Sequence, residues 1–262
     1  MAIYISKPWY KKSSKRQGIW VSKTWGIQIN GQYIWNDGDD IYYSSASTQK
    51  VLDRSTSTWK NKTWKELTSF NGTDIWKRAG SIIYYSSGAT DNYKLSYIQK
   101  DTWDGLSWKG LPNAFKGRYI WNDGTNYYFS NTDPSQLVFT NYASWSSKTW
   151  YGLTSFLGDC VWKDGNHIYY SLDSNQYELD VSTSTWNTKT WNGLTSFRGR
   201  FIWTIEDDIY YSYNANQYKL NKSTSTWIPI TWEGYTPNDG RNIWKDGDHI
   251  YYSYPGTSYE LI

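Results

Sequence analysis

Three arginines, Arg118, Arg200 and Arg241, each stand two residues before an Ile-Trp pair. A guanidinium fork suits bidentate capture of a carboxylate, so three at equivalent places could clamp an anion. The other residues with chemical potential are few. The two histidines, His167 and His249, both follow an Asp-Gly step closely and read as exposed turn residues. The one cysteine, Cys160, excludes an internal disulfide or a cysteine-rich zinc site. It reads as a small packing residue. The paired carboxylates Asp39-Asp40 and Asp207-Asp208 fall where hairpin turns are expected, and Asp is favoured there for turn chemistry. No general acid–base pair can be assembled. The expectation is a protein without catalytic residues, metal ligands or cofactor.

Composition narrows the classes further. The chain has 262 residues, with 19 Trp, 26 Tyr and 7 Phe, which rules out a disordered chain poor in aromatics. A net charge of +3 is too weak to argue for nucleic acid. No apolar run approaches the roughly 20 residues of a membrane span. Residues 1–10 lack the apolar core of a signal peptide. The expected setting is a virion or the cytoplasm, with neither nucleic acid nor a membrane span.

The elements that must position any site follow from an internal repeat. Ile or Val precedes Trp35, Trp76, Trp121, Trp162, Trp203 and Trp244, at spacings of 41, 45, 41, 41 and 41. Most copies continue as Asp-Gly and then Ile-Tyr-Tyr-Ser, followed by Gln-Tyr-x-Leu and by two Trp five apart. These short aromatic and β-branched runs, bounded by turn residues, read as strands. Asp-Gly between two of them is a hairpin signal, and Ser-Thr-Ser-Thr before the Trp pair reads as a second turn. Each repeat therefore predicts four antiparallel strands: a ending at Ile-Trp, b, c, and d carrying the Trp pair. Units of about 40 to 50 residues with four strands match propeller blades.

The ends support closure. The last repeat stops at Tyr259-Glu260-Leu261 without a d strand, while Lys23-Thr24-Trp25 near the start matches Lys62-Thr63-Trp64. The prediction is an all-β, six-bladed β-propeller over residues 18–262. Its N-terminal strand completes the C-terminal blade and hides sheet edges.

The segment Tyr177 to Trp186 resembles the kelch signature, in which a Tyr, a Thr-rich turn and a Trp follow one another. The Asp-Gly-x-x-Ile-Tyr segment is similar to the kelch strand pair. Ser-Ser, Ser-Leu or Ser-Tyr replaces the family's Gly-Gly doublet. Repeats this rich in Trp and Tyr look like those of bacterial surface and phage structural proteins, which implies a phage tail or cell-surface component. The Arg trio also resembles the carboxylate clamp of six-bladed sialidases, but the Ser-x-Asp-x-Gly-x-x-Trp pattern of that family is absent.

Landmarks repeated in every blade are expected to pack blade against blade, and function is expected where repeats differ. The b–c loops vary, and so do the two residues before each Ile-Trp pair. The candidate ligand-binding set is Gln32, Arg118, Tyr119, Asp159, Arg200, Phe201, Arg241 and Asn242, with Tyr213 and Tyr254 from the b–c loops. Together they should ring one mouth of the central channel and present a carbohydrate or protein ligand surface. A second expectation concerns residues 1–17, which carry Lys7, Lys11, Lys12, Lys15 and Arg16. This basic tail could hold an assembly partner, which would make the chain a structural subunit.

Overall fold

Alternation along Ile-Tyr-Tyr-Ser places its two tyrosines on opposite sheet faces, and both become buried against different neighbours. In the fourth repeat Tyr169 packs toward the fifth and Tyr170 toward the third. The computed structural model describes residues 18–262 except 79–81, 97–98, 100, 133–135, 142–143 and 215. The basic tail of residues 1–17, and Asp133 to Ser135 and Ala215 of the variable loops, lie outside the described residues.

Six antiparallel sheets form the blades of a propeller. Their innermost strands are Ile34–Asn36, Ile75–Arg78, Ile120–Asn122, Val161–Asp164, Ile202–Ile205 and Ile243–Asp246. Blade 4 shows the pattern in full: Val161–Asp164, His167–Asp173, Asn175–Asp180 and Thr185–Thr188, in that order from the axis outward. A short segment, Phe197–Arg198, adds a further pairing to Leu172 and Asp173. In blade 6 the order is Ile243–Asp246, His249–Tyr254, Thr257–Leu261 and then Trp20–Ser22 from the other end of the chain. Trp20 pairs with Leu261 and Ser22 with Tyr259.

Each landmark has one place in six inter-blade clusters. Between blades 1 and 2 lie Trp35 and Tyr42 of one blade, Ile83, Tyr85, Leu95 and Trp103 of the next, and Trp64 and Phe70 of the link. The inner Trp lies 4.5–4.8 Å, ring to ring, from the Tyr paired opposite it in its own hairpin in all six blades. The cluster of Trp25, Trp59, Trp244 and Tyr251 joins blade 6 to blade 1 and closes the ring. Each aromatic buries about 150–250 Å², worth about 4–6 kcal/mol at about 25 cal/mol per Å². The aromatic excess is thus spent on packing; among the described residues Tyr151, Tyr213 and Tyr254 are the strongly exposed tyrosines.

Two strand boundaries differ from the sequence expectation. Strand a begins at Ile-Trp instead of ending there, because the residues before it form a 3-10 turn. Strand d holds only the first Trp of each pair. The second, such as Trp64 or Trp191, sits beyond the strand in the link to the next blade. There Lys62, Lys148 and Lys189 place their ammonium groups 4.5–5.1 Å from the ring centroid of the Trp two residues on. A cation over an indole face is attractive, which accounts for the recurring Lys-Thr-Trp. The residue after that Trp ties the rim together: Trp186 N–H donates to Tyr151 O at 2.8 Å, and Trp20 N–H donates to Glu233 O at 2.9 Å.

Candidate functional site

The candidate residues sit on six three-residue 3-10 turns: Gly31–Tyr33, Gly72–Asp74, Gly117–Tyr119, Gly158–Cys160, Gly199–Phe201 and Gly240–Asn242. Each turn packs on the next and the last on the first, which makes a closed collar around the channel. The leading glycine permits this. A Cβ on Gly158 would lie 1.9 Å from the carbonyl oxygen of Tyr119, and one on Gly31 would lie 2.1 Å from that of Asn242. The Gly that recurs three residues before each Ile-Trp or Val-Trp is the signal of this collar in the sequence.

The middle residue of each turn faces the channel. Gln32, Thr73, Arg118, Asp159, Arg200 and Arg241 all line one cavity of about 540 Å³, and Tyr119 joins them. The third residue turns the other way in four of the six turns, while Tyr33 and Tyr119 stay half-buried. Phe201 and Asn242, expected at the channel mouth, are buried, as are Asp74 and Cys160. A three-residue turn feeding an inner strand leaves this position facing the inter-blade core; Phe201 packs there with Trp191 and Phe197. Tyr213 and Tyr254 are exposed on b–c hairpins outside the cavity lining. Tyr213 lies flat on Phe201, with ring centroids 4.2 Å apart.

The arginines are not a free anion clamp. Arg118 holds Asp74 with two bonds, Nε to Oδ1 at 2.8 Å and a terminal nitrogen to Oδ2 at 3.1 Å. Arg241 holds Asp239 through Nε at 3.1 Å and a terminal nitrogen at 2.6 Å. Both guanidinium groups titrate above their ordinary range because of the hydrogen bond to the carboxylate. Arg200 meets Asp159 through a single 3.3 Å contact. That pair leaves Arg200 Nε and Asp159 Oδ1 without a hydrogen-bond partner. Three guanidinium groups face three carboxylates, so the rim is polar, rich in donors and acceptors, and close to neutral.

The remaining chemical candidates lie elsewhere. Burial pushes the Cys160 thiol up to about 12, so it stays protonated. His167 and His249 are exposed at the start of strand b, and each bonds a glutamate on the adjacent strand: Nδ1 to Glu178 at 2.7 Å and to Glu260 at 2.6 Å. Among the described residues no three His, Cys, Asp or Glu side chains come together as a metal site. Among them, too, no helix is long and apolar enough to cross a membrane.

No family model matches the chain, and no curated protein matches it. Solved structures do match. One is described as the extracellular domain of a hybrid two component system, BT3049, from B. thetaiotaomicron; its TM-score is 0.56 at 13% identity, over 96% of this chain and 35% of that one. Two are extracellular domains of systems described under BT4673 from the same organism. Their TM-scores are 0.55 and 0.54 at 7% and 8% identity, covering 87% and 92% of this chain and 33% and 41% of theirs. The chain therefore spans about a third of those chains' length, and at such identities the likeness is one of fold. The kelch resemblance stands on the Tyr177 to Trp186 segment and the Asp-Gly-x-x-Ile-Tyr hairpins alone.

Proposed function

We propose that this chain is a non-catalytic recognition module whose collar cavity takes a neutral, hydroxyl-rich ligand of the carbohydrate class. One observation carries the reading: six equivalent positions at which the repeats differ, Gln32, Thr73, Arg118, Asp159, Arg200 and Arg241, all line a single cavity. Rigid repeated packing surrounds them, and variation on a rigid scaffold is where binding resides. Their electrostatics select the ligand class. Guanidinium groups already matched by Asp74, Asp159 and Asp239 offer little net attraction to a carboxylate. They do offer alternating donors and acceptors, which suit hydroxyls. The Arg200–Asp159 pair has the most unspent bonding capacity and is the centre of the site. The extracellular domains among the structural neighbours support display at a cell or virion surface.

A protein ligand is the second reading. Exposed Tyr213 and Tyr254 on the same face favour it, since tyrosine is enriched at protein interfaces.

The test is a glycan array on the purified chain, followed by titration of a hit through its tryptophan fluorescence. Arg200→Ala and Asp159→Ala should each weaken binding about tenfold or more without lowering the unfolding temperature much. A hit unaffected by either change rejects the collar as its site. Cleavage of the bound glycan would overturn the non-catalytic reading. A blank array with retained capture of a protein ligand, lost on Tyr213→Ala, selects the second.

A further inference from the structure

The residue after each inner-strand tryptophan alternates around the ring: Asn36, Lys77, Asn122, Lys163, Thr204 and Lys245. All six share one register. Lys163 stands opposite Ile168 and Lys245 opposite Ile250, just as Asn36 stands opposite Ile41. They form one storey of the channel, roughly 7 Å further along strand a than its first residue, at about 3.3 Å per residue. Each lysine reaches back to a neutral side chain of the preceding blade. Lys77 Nζ donates to Asn36 Oδ1 at 2.5 Å, Lys163 to Asn122 Oδ1 at 2.9 Å, and Lys245 to Thr204 Oγ1 at 3.3 Å. Three ammonium groups are thus fixed on blades 2, 4 and 6, in pseudo-threefold order.

Four carboxylates of the adjoining a–b turns are held by other groups. Asp37 accepts from the backbone N–H of Asp39 and Asp40 and from the Tyr42 hydroxyl. Asp123 accepts from the backbone of Thr125 and Asn126 and from Tyr128. Asp164 and Asp246 pair outward with Lys222 and Arg54. Among the described residues neither Lys77 nor Lys163 has an ion pair; each bonds an amide instead. Partial burial holds both ammonium groups below the ordinary lysine range, with Asp37 and Asp123 offsetting this only in part. Like charges on one storey repel, and a bound anion would relieve that.

We propose that this storey binds a tetrahedral oxyanion, of the phosphate or sulfate class, on the channel axis. Three donors around a threefold axis match three oxygens of such a group, and charge-assisted N–H···O bonds are the strong ones. The inference does not rest on the carbohydrate reading of the collar, because it uses the lysines of strand a and not the collar turns, although Lys77 and Asn122 also line the collar cavity. The anion is either free or the phosphate or sulfate of an ester.

Calorimetric titration of the full chain at constant ionic strength tests this, with inorganic phosphate, sulfate and glucose 6-phosphate as probes and chloride as the control. Saturable binding of one or more oxyanions is expected, weakened about tenfold or more by Lys77→Gln and by Lys163→Gln. Lys77→Arg should largely retain it. Lys60→Gln, on the outermost strand of blade 1, should leave phosphate affinity within about twofold. Tighter binding of glucose 6-phosphate than of phosphate identifies an ester; the reverse identifies the free anion. No saturable heat with any of the three, or affinity unchanged in the folded Lys77→Gln/Lys163→Gln double variant, overturns the proposal.

Discussion

The indole N–H of Trp162 donates to the hydroxyl of Ser171 at 2.9 Å, nine residues along the chain, and both side chains are buried. The same bond recurs in the other five blades, from Trp35–Ser44 to Trp244–Ser253, at 2.9–3.1 Å. It gives a structural role to the serine that recurs after the paired aromatics of each hairpin. A residue without a hydroxyl there would leave the inner indole N–H as unpartnered as those of buried Trp103, Trp186 and Trp227.

Ser171→Ala removes that acceptor and strands a buried donor. It should cost about 1–3 kcal/mol. Urea unfolding of the variant against the parent measures this. A matched change at exposed Ser174 provides the control and should be close to neutral.

The collar glycines are needed for closeness, not for backbone conformation. Gly158→Ala would place a methyl 1.9 Å from the Tyr119 carbonyl, so the collar must open. A loss of about 1–3 kcal/mol or more is expected. Gly105→Ala, where a Cβ would meet nothing within 4 Å, should be tolerated. Equal unfolding midpoints for the two variants would contradict the packing role.

Closure depends on Trp20, which fills the last blade as Trp186 fills the fourth. Trp20→Ala should cost about 3–5 kcal/mol, the range for deleting a large core aromatic. A chain begun after Ser22 should in addition expose the edge of Thr257–Leu261, an unpaired template for association. Solution scattering at two concentrations tests for that. A monomeric, equally stable truncated chain would show that the ring closes without this strand.

The Glu178 carboxyl lies below the ordinary glutamate range. Partial burial pushes it up, but hydrogen bonds from Lys189 and His167 and their charges outweigh this. A carboxyl depressed by folding contributes stability that is fully present above its unfolded value, about pH 4.3, and lost as pH falls through the lower folded value. Unfolding temperatures of the parent and of Glu178→Gln should therefore differ at pH 6 and converge toward pH 3. A constant gap across that range would remove Glu178 as the source.

The ring itself was legible in the chain. The 41-residue spacing of Ile-Trp, and the split repeat that pairs Trp20 with Leu261, state both the blade count and the manner of closure. Strand order and face alternation are local properties, fixed by a period of two and by Asp-Gly turns, so they survive into the fold unchanged. Tertiary structure decided which way each variable residue points. Arg200 and Phe201 are neighbours in sequence, yet one lines the channel and the other is core, because the collar glycine lets adjacent turns touch and rotates the third residue inward. It also decided the charge of the site. The arginine trio reads as cationic until Asp74, Asp159 and Asp239 are brought against it, and Asp74 comes from a residue 44 positions before Arg118. Arg241 and Asp239 are two residues apart, but the Arg118–Asp74 and Arg200–Asp159 pairings depend on distances across blades, which no spacing along a strand encodes.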